Sequence, residues 1–249
     1  MMARKVQRPS QTIENYLGVI YTLSRDGETV IGRKLADWLE VSPPTVTATL
    51  QRMIRDGWVT MSDDKSIRLT QGGREAATSV IRRHMLTELL LARILGVPWS
   101  KVHEEADRMA HGVSAEIADR VANAVKHPRV CPHGNPMPGH EEITEPLVPL
   151  LEAEPGAEYV LARIHEELER NPDLMAYLER HCLLPGATIV LVEIMDYNDT
   201  VTVHCGGHDV VLGLSVAGKV WVRDKGSPMG QGAVGPGVTG DVQPRLRAQ

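Results

Sequence analysis

His84 and Glu88 lie four residues apart, and His103, Asp107 and His111 repeat that interval further along the chain. Residues four apart on a helix leave the same face. If the two helices carrying them pack as an antiparallel pair, His84, Glu88 and His103 converge on one point. Imidazole with carboxylate suits Mn, Fe, Co or Zn rather than Ca or Mg. A single His–Glu pair at this spacing is ordinarily a solvated helix face. Five such residues on two facing stripes put a cation site on an equal footing with that plainer reading.

Two apolar-periodic segments must position these stripes. Residues 73–94 carry Ala76, Val80, Ile81, Met85, Leu89 and Leu90 at helical spacing, and residues 98–126 carry Val102, Ala106, Met109, Val113, Ile117, Val121 and Val125. Gly96-Val97-Pro98 breaks the pattern between them. Paired helices with this much apolar surface suit a dimer interface.

Upstream, residues 10–24 read as a helix capped by Ser10 or Thr12, with Ile13, Tyr16, Leu17, Ile20, Tyr21 and Leu23 inward. A short helix, IGRKLADWLE, then a turn at Val41-Ser42, a second helix, TVTATLQRMIRDG, and two short strands, WVTM and SIRLT, make a winged helix-turn-helix. The outer face of its second helix is expected to hold Thr45, Thr47, Ala48, Thr49, Gln51, Arg52 and Arg55. Small hydroxyl residues there suit base edges and phosphates, and the arginines suit phosphates. Lys65 at the hairpin tip is in reach of a groove or the backbone. The plainer reading is a polar face on a module used for dimerisation.

Residues 1–83 hold 13 Lys and Arg against 9 Asp and Glu, whereas the remaining chain holds 14 against 23. A basic first third on an acidic chain fits a nucleic-acid-facing module. Phe is absent, and the three cysteines, Cys131, Cys182 and Cys205, are scattered and odd in number. That pattern argues against a disulfide framework and for a reducing cytoplasm. No signal-peptide h-region and no apolar run of membrane-spanning length is present, so no membrane partner is expected. The Pro- and Gly-rich CPHGNPMPG reads as an ordered loop, with Cys131 and His133 in a loop role rather than as ligands. From residue 157 the alternation ATIVLVEIMD, DTVTVHC, HDVVLGLS, GKVWVR predicts a small β-barrel. Residues 227–249 read as a disordered tail. The chain has no H-E-x-x-H, no nucleophile elbow and no phosphate-cradling glycine loop, which speaks against an enzyme. A metal-dependent hydrolase stays as the alternative from another class.

With EVSPPTVTATLQRMIRDGWV, IRRHMLTELLLARILGVPWSKVHEEADRMAH and CPHGNPMPG in order, residues 10–223 resemble the diphtheria toxin repressor family of metal-dependent transcription regulators, in its three-domain form. The resemblance implies a mainly α chain with small β parts. A winged helix-turn-helix DNA-binding domain spans 1–78, a helical metal-binding and dimerisation domain 79–145, and an SH3-like barrel 146–226. It implies a homodimer on a double-stranded DNA operator, with two neighbouring cation sites. His84, Glu88 and His103 match the first site, which two barrel residues complete. These fall at Asn171 and Leu174, with Glu169 or Asp173 nearby as substitutes. Asn15, Asp107, Ala110 and His111 match the second, where Ala110 replaces a carboxylate and Glu14 or a water would fill the gap. DNA contacts map onto Ser42, Pro44, Thr45 and Thr47, with Arg52 and Arg55 on phosphates. Oxygen ligands at Asn15 and Asp107 favour Mn over Fe(II), with Co and Zn also accepted. The implied function is a manganese- or iron-responsive repressor of metal-uptake genes. A DNA-binding regulator with a vestigial second site is the alternative.

Overall fold

The computed structural model describes residues 9–144 and 146–225. The expected tail, 227–249, lies outside them. The chain opens with α1 (Gln11–Arg25), α2 (Gly32–Leu39) and α3 (Pro43–Arg55), followed by an antiparallel hairpin of β1 (Val59–Met61) and β2 (Ile67–Leu69). Ser42 caps α3, its Oγ accepting from the Thr45 N–H at 3.4 Å. Pro43 and Pro44 fill the first turn, where a missing N–H costs nothing. Ile13, Leu17, Ile20, Leu35, Val46, Leu50 and Met53 form one buried core. Thr49 departs from expectation: it is 5 % exposed rather than on the outer face. It stands three residues after Val46 and four before Met53, so it falls on their inward stripe.

Thr70 starts α4 (Gln71–Leu89), its Oγ1 accepting from the Gly73 N–H at 3.0 Å and donating to the Gly57 carbonyl at 2.7 Å. The helix continues as one π-helical turn, Leu90–Ile94. The single helix expected over 98–126 is broken. A 3-10 turn at Trp99–Lys101 leads into α5 (Val102–Met109), and a second at Ala110–Gly112 precedes α6 (Ala115–Ala124). Gly112 weakens the helix, and Ser114 offers a competing N-cap, its Oγ accepting from the Ile117 N–H at 3.2 Å. His111 therefore leaves the stripe of His103 and Asp107.

The last domain is a six-stranded antiparallel sheet in the order β3 (Val148–Pro149), β8 (Val220–Asp224), β4 (Glu158–Ile164), β5 (Thr188–Met195), β6 (Thr200–Cys205), β7 (His208–Gly213). Bulges at Leu161/Arg163 and Leu191/Glu193 bend β4 and β5. Two helices, α7 (Glu166–Glu169) and α8 (Pro172–Arg180), follow β4, and α9 (Leu214–Ala217) takes residues expected to extend β7.

Two junctions bind this domain to the others. Trp99 joins the sheet core, while its N–H and the Ser100 hydroxyl donate to the Glu179 carboxylate at 2.9 and 2.6 Å. At the end of α1, Arg25 and Asp26 meet Arg163, His165 and Glu166. Arg25 Nη1 is 2.7 Å from Glu166 Oε1, Arg163 Nη2 is 2.7 Å from Asp26 Oδ2, and His165 Nε2 is 3.0 Å from the same oxygen. Burial alone would raise both carboxyls. The bonds from His165 and Arg25 to Asp26, and the Arg25 and Arg163 charges beside Glu166, outweigh it and hold both below the usual carboxylate range. Their contribution to stability is complete above the ordinary pKa of about 4 and is lost as pH falls below it toward the lowered folded values. The melting temperature of Asp26→Asn is therefore expected to fall less than that of the wild type between pH 6 and about pH 3. Parallel curves would contradict this role.

Candidate metal centre

His84 and Glu88 project from the last turns of α4, as their spacing requires. His103 projects from the first turn of α5. His84 Nε2 lies 3.1 Å from Glu88 Oε1 and 3.2 Å from His103 Nδ1, which is 3.0 Å from the same carboxylate oxygen. The expected convergence of these three side chains is therefore present. Asp107, one turn along α5, lies beside them, with its oxygens 3.3 Å from His84 Nδ1 and 3.7 Å from His103 Nε2.

Three further side chains reach the same point. Glu169, the last residue of α7, places Oε2 2.7 Å from His103 Nδ1. His133 Nδ1 is 3.2 Å from that oxygen and 3.6 Å from Glu88 Oε1. Ligand-type atoms of Glu88, Cys131 and His133 lie within 4.8 Å of one another, as do those of His84, Glu88 and His103. Glu88 is common to both sets. Asn171 is instead spent on capping α8, its Oδ1 accepting from the Leu174 N–H at 3.0 Å.

The loop carrying Cys131 and His133 is held in place by close backbone approach. Gly134 has φ +86°, and a Cβ there would stand 2.0 Å from the Ala162 carbonyl oxygen. Only glycine accommodates both the conformation and the contact. Asn135 donates to Glu169 Oε1 at 2.6 Å and to the Ile164 carbonyl at 2.7 Å, and accepts from Arg163 Nε at 2.6 Å. Glu169 is thus oriented by a partner that is itself fixed.

The electrostatics ask for positive charge. Glu88 Oε2 and both His133 ring nitrogens are buried without a hydrogen-bond partner. The His133–Glu169 approach is an ion-pair distance that lacks hydrogen-bond geometry. Burial would raise the Glu88 pKa, but His84, His103 and His133 hold it well below the usual range. Burial likewise opposes charge on the imidazoles and is outweighed. Glu88 raises His84, Glu169 with Glu88 holds His103 up at about 10, and Glu169, Cys131 and Glu88 hold His133 well above its usual value. Burial and the Glu88 charge push the Cys131 thiol up to about 12. A divalent cation fits this donor set, in which protons otherwise supply the compensating charge.

The second set is arranged differently. Asn15 is exposed on α1 and lines, with Glu14, Asp107 and His111, the same cleft of about 310 Å³ that His84 and Glu88 line. Ala110 supplies no donor atom. Glu14 is buried, with Oε1 2.8 Å from Arg83 Nη2 and Oε2 2.8 Å from His111 Nδ1. An internal guanidinium therefore stands against the carboxylate that would complete this group. Among the described residues, His111 belongs to no set of three clustered His, Cys, Asp or Glu ligand atoms.

Helical spacing found His84, Glu88 and His103. It passed over Cys131 and His133, for which the available signal was a C-x-H pair followed by a glycine. The family resemblance reached Glu169 only as a substitute. In the winged helix, Ser42, Pro44, Thr45, Thr47, Arg52, Arg55 and Lys65 are all exposed. Thr47 Oγ1 donates to the Pro43 carbonyl at 3.0 Å, and Lys65 turns the hairpin with φ +66°.

Comparison with known proteins agrees with this architecture. Residues 9–67 match the family described as iron dependent repressor, N-terminal DNA binding domain. Residues 70–139 match the iron dependent repressor, metal binding and dimerisation domain, and 148–224 match the FeoA domain. The iron-dependent repressor IdeR of Mycobacterium tuberculosis is 35 % identical over 191 residues, 72 % of this chain and 83 % of that protein. The diphtheria toxin repressor of Corynebacterium diphtheriae is 35 % identical over 210 residues, 81 % of this chain and 92 % of that protein. Among solved structures, a manganese-dependent transcriptional repressor in complex with manganese aligns with a TM-score of 0.74 at 27 % identity, covering 85 % of this chain and 99 % of that one. The IdeR of T. acidophilum aligns with a TM-score of 0.68 at 28 % identity, covering 89 % and 100 %. With all three domains matched in order, this chain belongs to the diphtheria toxin repressor family of metal-dependent, DNA-binding transcription regulators.

Proposed function

We propose that the protein represses metal-uptake genes as a cytoplasmic homodimer and senses its cation through one buried centre rather than two separate sites. The carrying observation is the convergence of His84, Glu88, His103, Cys131, His133 and Glu169, with orphaned polar atoms among them. These residues, with Asp107 at the edge, would hold a divalent transition ion. The bound ion supplies the positive charge that the imidazole protons otherwise provide.

The protein residues do the rest. Glu88 and His84 fix the end of α4, His103 fixes the start of α5, and Glu169 ties both to the sheet domain. Glu14 joins α1 to α4 through Arg83 and to the turn after α5 through His111. The placement of the DNA-binding domain is thereby linked to the centre through α4. Two placements with different cation affinity suffice for a switch. Thr45 and Thr47 would read or approach the operator, with Ser42, Pro44 and Lys65 beside them and Arg52 and Arg55 on phosphates. Exposed Ile94, Leu95, Met109 and Ile117 supply an apolar face for the second protomer.

The expectation of Mn rested on Asn15 and Asp107. With Cys131 sulfur among the donors, preference moves away from Mn toward ions with higher affinity for nitrogen and sulfur, Fe(II), Co and Zn. The test is binding of the chelator-treated full-length protein to genomic fragments with Fe(II), Mn, Co or Zn added. Binding that appears only with a cation, and at lower Fe(II) than Mn, is expected. Binding without any cation contradicts the proposal, and binding that needs less Mn than Fe(II) overturns the ion preference. His111→Ala is expected to keep the wild-type number of ions per chain; loss of one ion would restore a second site.

A further inference from the structure

Another group of ligand-type side chains lies on the sheet domain, outside the centre described above. Cys205 and His208 are cross-strand partners on β6 and β7. Gly206 and Gly207 between them have φ of 59° and 86°, the left-handed pair that closes a two-residue hairpin. The hairpin fixes the direction of His208. Facing it, His181 caps the C-terminus of α8, and Cys182 follows with φ 58°. The Cys182 carbonyl accepts from the buried Cys205 thiol at 3.4 Å, which fastens this turn to the hairpin.

This arrangement brings His181 Nδ1 to 3.0 Å from His208 Nε2. His208 and Cys182 are exposed and His181 is half-buried, so burial does not force the two rings together. Two nitrogens bound to one tetrahedral ion at 2.0–2.1 Å stand about 3.3 Å apart. The ring nitrogens are therefore already near chelating separation. Cys182 borders the same spot. A Cβ at Gly206 would lie 3.8 Å from Cys182 Cβ and 3.7 Å from His208 Cε1. Tyr177, with its ring centroid 4.4 Å from that of His181, backs the imidazole. His204 and Asp209 pair at 2.7 Å at the neighbouring rung, whose side chains point to the other face of the hairpin, and take no part.

We infer that His181 and His208 form a surface site for Zn(II), separate from the buried centre, with Cys182 at its edge and the remaining positions left for water. Two imidazoles, with no carboxylate beside them, select a borderline ion over Mn. The site sits on α8, whose Glu179 holds Trp99 and Ser100 at the entry to α5.

The experiment counts zinc bound by the reduced, full-length protein after equilibration with buffered free Zn(II) and gel filtration. The paired variant His181→Ala/His208→Ala is expected to lose one zinc per chain relative to wild type, with the melting curve of the metal-free protein unchanged. Glu88→Gln, which alters the buried centre, is expected to retain that ion. Equal zinc counts for the wild type and the paired variant would overturn the inference, whatever the outcome at the buried centre.

Discussion

Glu88→Gln is expected to lose cation-stimulated operator binding and to weaken cation binding at the buried centre by more than about 100-fold. Removing an outer hydrogen-bond partner of a metal ligand typically costs roughly 10–100-fold, and Glu88 is nearer than that. Its Oε1 lies 3.0 to 3.6 Å from ring nitrogens of His103, His84 and His133. Its other oxygen is buried without a hydrogen-bond partner. Glutamine keeps the shape and removes the charge. Among the described residues the three imidazoles then keep Glu169 and the exposed Asp107 as nearby carboxylates, and a divalent ion meets one negative charge fewer at a largely buried site. Calorimetric titration of the metal-free variant, paired with fluorescence anisotropy on an operator fragment, reads both effects. Cation dependence equal to the wild type would remove Glu88 from the centre and the centre from the switch.

The variant also bears on what the sequence could reveal. His84, Glu88 and His103 are legible because a helix turns spacing into geometry: four residues along the chain is one face. The winged helix was legible for the same reason, down to the Ser42 cap and the inward stripe of α3. Thr49 shows where such reading slips. Its hydroxyl suggested the outer face, while its position, three after Val46 and four before Met53, placed it inside. The helix expected over 98–126 failed at Gly112 and Ser114, where a weak helix former adjoins a competing cap. That break separates His111 from the stripe that seemed to continue through it.

Cys131, His133 and Glu169 were harder to read because no single period relates them. Cys131 and His133 sit on an irregular loop, and Glu169 ends a four-residue helix in another domain. Their meeting depends on the loop pressing Gly134 against the Ala162 carbonyl oxygen of β4. That contact is long-range and leaves only one local trace, a glycine after a C-x-H pair. Arg163 is equally silent in sequence. It lies on β4 at a bulge, where alternation would make it an ordinary strand residue.

Arg163→Met is expected to be the most destabilising of these substitutions and to weaken the centre without touching a ligand. The guanidinium is 3 % exposed and faces Asp26, Glu166 and Asn135 at once, with its carbon 4.5 Å from the centre of the Trp221 ring. Methionine fills much of the volume but leaves two nearly buried carboxylates with Arg25 and His165 as their remaining partners. Removing one partner from a buried ionic group typically costs about 3–5 kcal/mol, because the charges left behind are uncompensated. The same change releases Asn135, the residue that orients Glu169 toward His103. Cation affinity should fall by roughly 10–100-fold, the range for loss of an outer partner. Denaturant unfolding of metal-free protein measures the first effect, and metal titration well below the unfolding midpoint measures the second. If stability falls while affinity holds, Arg163 serves only the junction of α1 with the sheet domain. If both fall, the contact that docks the DNA-binding domain also aligns a metal ligand, and domain placement is coupled to cation binding through a second route beside α4.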